Sequence, residues 1–115
     1  MTNNEIDERL ALAIGHQPQN VKNFVSGLDF VVVRSDKHND GYVSWWRFDH
    51  QNPTVILPIM EVYDVFPYRL TGNWMHAGLY CAFIGSDFKI IEVHHKNPRT
   101  AATLALLDAA EKGLL

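Results

Sequence analysis

The side chains with the most chemical reach fall in a few short clusters. Glu92, His94 and His95 bring a carboxylate and two imidazoles together, and both groups are good ligands for zinc-class ions. In an extended strand, however, neighbouring side chains point to opposite faces, so Glu92 and His94 share one face and His95 takes the other. A metal site would need further ligands from elsewhere, such as His76 or His50. The pattern fits polar residues at a strand end better, and no metal or other cofactor is expected. Cys81 is the only cysteine. With a histidine it could form a nucleophile and base pair, but the flanking Tyr80, Ala82 and Phe83 offer none of the electropositive surroundings that a reactive thiolate needs. The chain also lacks a serine-nucleophile elbow, a phosphate-binding glycine loop and an HExxH motif. A protein without catalytic residues is the expectation.

Trp45-Trp46-Arg47 points to binding instead. Adjacent strand residues face opposite ways, so one of the two indoles is expected outside the main core. Together with Tyr42, Arg47, Trp74 and His76, the indoles Trp45 and Trp46 form the candidate binding surface. Its aromatic and cationic character suits a protein interface or stacking on a base or nucleotide. The competing expectation is a sheet with a helix on each face, which would bury both indoles. The hairpin tip Ser35 to Gly41 carries Asp36, Lys37, His38 and Asp40, a mixed-charge turn whose spacing does not match a calcium loop.

Composition narrows the class of protein. At 115 residues, 47% hydrophobic and 20% charged, the chain matches a single globular domain, expected to span 1–115. The ten Lys and Arg never form a run and the net charge is −3, which disfavours nucleic acid as a partner. The six histidines allow the net charge to move between about −3 and about +3 across the titration range of imidazole. No apolar run reaches the roughly 18 residues of a membrane span, and the start is acidic where a signal peptide would be basic. With its single cysteine, the chain is expected in a reducing cytoplasm, away from membranes.

The elements that must position these residues can be placed by periodicity. Ile6, Leu10, Ala13 and Ile14 fall on one helical face over 3–14, with Glu5, Asp7, Glu8 and Arg9 elsewhere; Asn3 can cap this helix and Gly15 can end it. Residues 16–27 read as a loop, with Val21, Phe24 and Val25 able to form a short helical turn. Phe30-Val31-Val32-Val33 predicts a buried strand, and Tyr42 to Phe48 a second one, giving a hairpin over 28–48. Ile59, Val62, Tyr63 and Phe66 predict a helix over 58–66 opening on Pro58, with Thr54 to Leu57 as a competing short strand. A second hairpin is expected from 77–84 and 88–94 about Gly85-Ser86-Asp87. Asn97-Pro98 then starts a helix that runs to Gly113, with Ala102, Ala105, Leu106, Ala109 and Ala110 on one arc. The predicted fold is α+β, a small antiparallel sheet of about four strands between N-terminal and C-terminal helices, with a short middle helix.

Asn3-Asn4-Glu5-Ile6-Asp7 near the start and Asn97-Pro98-Arg99-Thr100-Ala101-Ala102 near the end resemble the ends of small tailed-phage accessory proteins, the phage ABA sandwich family. The resemblance covers the terminal segments; the proline-rich middle and the absence of an aromatic cluster after the first helix depart from it. It implies helix, antiparallel sheet and helix in layers, no enzymatic activity, a phage or prophage origin, and a role against a host protein or complex such as an antiviral defence component. Self-association through the exposed aromatic surface is expected beside it. The alternative is a small-ligand or nucleotide-binding module using the aromatic and histidine surface; a metal-dependent hydrolase is the third expectation.

Overall fold

The computed structural model describes residues 1–22, 24–35, 44–71, 79–86 and 89–115; for residues 35, 81, 83–86, 89 and 90 it describes the backbone alone. The chain is α+β, as its periodicities predict, with three helices and six strands among the described residues. It divides into two compact units, Met1–Asp49 and His50–Leu115. The strands form two antiparallel sheets of three, in chain order.

In the first unit, α1 (Asn3–Ala13) is capped by Thr2, one residue before the expected Asn3. The Thr2 hydroxyl accepts from the Glu5 amide at 3.2 Å, and Thr-x-x-Glu is the spacing of a capping box. Gly15 closes the helix at φ +97°, a left-handed conformation that costs glycine little. The His16 amide reaches back to the Ala11 carbonyl and the Gly15 amide to Leu12, the paired bonds of a Schellman turn. Ile6, Leu10 and Ala11 are buried, and so is Asp7, which helical spacing assigns to the solvent side.

The turn delivers the chain into β1 (Pro18–Lys22), where a loop and a helical turn are expected. β1 pairs antiparallel with β2 (Asp29–Ser35), from Pro18 opposite Val33 to Lys22 opposite Asp29. A polar edge strand carries no alternation to reveal it, and the ladder with β2 is what makes it a strand. Asn20 also ties it to α1, accepting from Asn4 at 2.6 Å and donating to Glu8 at 3.1 Å. β2 pairs on its other side with β3 (Ser44–Arg47), which completes the expected hairpin. Its tip, 36–43, lies outside the described residues. Helix α1 packs on β1 and β2, against the face of the buried Val31 and Val33.

In the second unit, α2 (Pro53–Tyr63) begins well before the expected start at Pro58. Asn52 caps it, accepting from the Thr54 amide at 3.1 Å, with Pro53 at the first position. Thr54 to Leu57 are therefore helical, and Pro58 sits inside the helix on an exposed side. Its missing amide leaves the Thr54 carbonyl without a helical donor, a loss that water offsets at an exposed position. Asp64 ends α2 in the left-handed region at φ 56°.

β4 (Tyr68–Arg69), β5 (Tyr80–Ser86) and β6 (Lys89–His95) form the second sheet, with β5 central. The β5–β6 ladder continues to Ser86 opposite Lys89, so Gly85 and Ser86 belong to the strand and not to the expected loop. Helix α3 (Pro98–Glu111) opens on Asn97, whose side chain accepts from the Arg99 and Thr100 amides at 3.0 and 3.1 Å. It packs on β5 and β6. Instead of a single apolar arc it buries Thr100, Ala101, Ala102, Thr103, Ala105, Leu106, Leu107 and Ala109. The small alanines let it be enclosed on most sides.

Candidate functional site

Strand alternation sorts the first sheet into two faces. Val33 stands opposite Trp46, and both face α1; Arg34 stands opposite Trp45 and Val32 opposite Arg47, on the other face. The two indoles of β3 are thus split between the faces, and neither is buried: Trp45 is 45% exposed and Trp46 37%. A sheet covered on both sides would have buried them.

On the α1 side, Trp46 meets His16 edge to face, with ring centroids 5.9 Å apart, and Phe48 at 5.7 Å. His16 also stands 6.0 Å from Phe48. Phe48 is fully buried, so it is the anchor on which the other two rings rest. The Schellman turn after α1 puts His16 there, since Gly15 reverses the chain one residue earlier.

On the opposite face, the Arg47 guanidinium carbon lies 5.5 Å from the centre of the Phe30 ring, a cation–π contact. Trp45 shares that face with Arg34 and Arg47, both exposed. Near the end of α1, Gly15, His16, Gln17 and Arg34 line a polar cleft of about 200 Å³. Arg34 supplies the cation of this cleft and forms no ion pair among the described residues.

Of the expected surface, Trp45, Trp46 and Arg47 are neighbours on β3, while Tyr42, Trp74 and His76 lie outside the described residues. Periodicity missed the hairpin tip between β1 and β2. Phe24 is 95% exposed, Val25 99% and Leu28 70%. They are not on the short helical turn expected for Val21, Phe24 and Val25; Val21 is in β1, and Phe24 and Val25 project at the turn. The available signal was a short apolar group inside a polar, Gly-containing stretch, which is as compatible with a displayed tip as with a helix.

The metal-like cluster resolves differently. His94 Nε2 lies 2.9 Å from a Glu92 oxygen on their shared face. His95 accepts at Nδ1 from the Asn97 amide at 3.0 Å, so it supports the start of α3. Among the described residues, Glu92, His94 and His95 belong to no group of three ligands near enough to hold one ion. Of the two further candidate ligands, His76 lies outside the described residues and His50 is fully buried. Gln51 Nε2 donates to His50 Nε2 at 2.9 Å and to Thr100 Oγ1 at 2.6 Å, and Asn97 Nδ2 donates to Gln51 Oε1 at 2.9 Å. This polar network joins the starts of α2 and α3. Cys81 is opposite His94 in the β5–β6 register.

Comparison with models of known families, with curated proteins and with solved structures finds no match. No helix among the described residues is long and apolar enough to cross a membrane. The fold is α+β, and the most exposed large apolar side chains, Phe24 and Val25, lie in the first unit.

Proposed function

We propose that this protein is a non-enzymatic binding protein that docks on another protein through the apolar tip between β1 and β2. The observation that carries this is the near-complete exposure of Phe24 and Val25. Displaying two large apolar side chains to water gives up the burial energy that such residues usually supply, roughly 1.5–3 kcal/mol each. Seating them in a partner's pocket recovers it, and apolar anchors of this kind dominate interface energetics. Trp45, with Arg34 and Arg47 beside it, supplies a second contact area of the aromatic and Arg type enriched at interfaces.

The resemblance of the terminal segments extends this reading to a phage or prophage accessory protein of the host cytoplasm. Its partner is then a host protein or complex, with antiviral defence machinery as the target class, and self-association through the same apolar residues accompanies it. The test is affinity capture from host lysate with the wild-type chain and with a Phe24→Asp/Val25→Asp double variant, beside light scattering of each. The expected result is one stoichiometric partner lost from a variant whose circular dichroism is unchanged. Equal capture by both chains removes the tip from the mechanism.

A second reading, a small-ligand or nucleotide-binding module, is favoured by the polar cleft that His16 and Arg34 line. A cation next to an imidazole that meets an indole edge to face suits a phosphate attached to a base. Saturable quenching of tryptophan fluorescence by a nucleotide panel, abolished in Arg34→Gln, would select it over the first.

A further inference from the structure

We infer that a groove in the unit His50–Leu115 binds a small amphipathic carboxylate, with an alkyl or aryl body on its apolar floor and the carboxylate held by Arg99. This site is independent of the tip and cleft of the first unit. The groove has a volume of about 330 Å³ and runs between the start of α2, the 66–67 segment and the start of α3. That is within the range of small-molecule sites, roughly 300–1,000 Å³. Leu57, Met60 and Phe66 give it apolar walls. Met60 is buried beneath, while Leu57 is 48% and Phe66 55% exposed, so two large side chains border a concavity that none of the described residues fills.

Among the described residues the one charged lining group is Arg99. Its Nε reaches Gln51 Oε1 at a long 3.4 Å, an acceptor already taken by Asn97 at 2.9 Å. Among the described residues Arg99 has no carboxylate partner. The other guanidinium donors are left for a bidentate grip on an incoming carboxylate. Pro53 and Pro98 line the same groove at the first positions of α2 and α3. Both helices thus turn their positive dipole ends toward it, adding a field that favours an anion while Asn52 and Asn97 satisfy the amides themselves.

Size and backbone chemistry argue for a small ligand over a peptide. An extended peptide needs backbone amides along the groove to pair with, and three of the lining residues, Pro67 included, have no amide hydrogen.

The test is calorimetric titration of the full chain with octanoate and, separately, octanamide, with amide chemical shifts followed by NMR. Octanoate should bind saturably and perturb residues at the starts of α2 and α3. Octanamide should bind at least about tenfold more weakly, the factor expected from losing one charge-assisted hydrogen-bonded pair. Arg99→Gln should abolish the difference and Arg99→Lys should restore part of it. Leu57→Asp, at a half-exposed position, should weaken both ligands while leaving the circular dichroism unchanged. If Arg99→Gln fails to fold, Arg99→Lys and Leu57→Asp carry the test. Equal affinity for acid and amide, no binding of either, or octanoate binding unchanged in Leu57→Asp would overturn the proposal. So would a leucine-terminated peptide that binds more tightly than octanoate, since that would assign the groove to a partner's C-terminus.

Discussion

The two units differ in the groups that they display most and in the polar groups that they bury. In Met1–Asp49 the sheet leaves Trp45, Arg34 and Arg47 on an open face and lifts Phe24 and Val25 into water. In His50–Leu115 the polar groups go inside: His50 and Thr100 are buried and joined through Gln51 to the Asn97 cap. Exposed apolar groups lower solubility and contribute little to folding, whereas a satisfied buried network helps to specify one packing. The first unit therefore carries the features of an interaction surface, and the second a buried polar network and a groove between two helix starts.

This contrast can be broken by substitution. The largest effect belongs to the second unit's core: Leu106→Ala, at a fully buried position, should lower stability by roughly 2–5 kcal/mol in urea unfolding. A smaller loss would mean that α3 is less enclosed than its burial indicates. Next comes Thr100→Val, which keeps the shape but removes the oxygen that Gln51 donates to at 2.6 Å. Removing one of the two acceptors of this part-buried donor should cost about 0.5–1.5 kcal/mol, and a neutral result would show that the network adds no net stability.

In the first unit the effects shrink. Gly15→Ala forces a side chain into φ +97°, although nothing stands within 4 Å of the new carbon. The cost is therefore one of backbone conformation alone, about 1 kcal/mol, visible as a lowered melting temperature. Phe24→Ser should be nearly silent in the same melt, within about 0.5 kcal/mol, because a side chain 95% exposed has little folding energy to lose. If that variant melted well below the wild type, the tip would be part of the fold and the contrast between the units would fail.

Much of the architecture is legible where a local interaction decides it. Asn97-Pro98 marks the start of α3 because cap and proline act within one turn, and Gly15 marks the end of α1 because few other residues tolerate its backbone. The opposite orientation of Trp45 and Trp46 follows from strand geometry. What is not legible depends on distant partners. β1 is a strand because β2 binds it, and Pro18 to Lys22 carry no pattern that says so. Asn52-Pro53 offers the same signal as Asn97-Pro98, but the β-branched residues after it compete, and Pro58 resembles a helix start when it stands within one. The burial of Asp7 runs against the helical pattern of its neighbours. The display of Phe24 also escapes periodicity, which registers where apolar residues are and not whether anything covers them.

Asn97 has a consequence for which sequences this fold admits. Its backbone amide binds His95, its side-chain oxygen receives two amides of α3, and its side-chain nitrogen reaches Gln51. Aspartate could accept the two amides but would turn an oxygen toward the Gln51 carbonyl. Serine could cap but lacks the length and the second donor. Drift at this position is therefore confined, whereas the exposed face of α2, with Val62 75% open, is free to diversify. A library of substitutions would separate these two positions within the one unit.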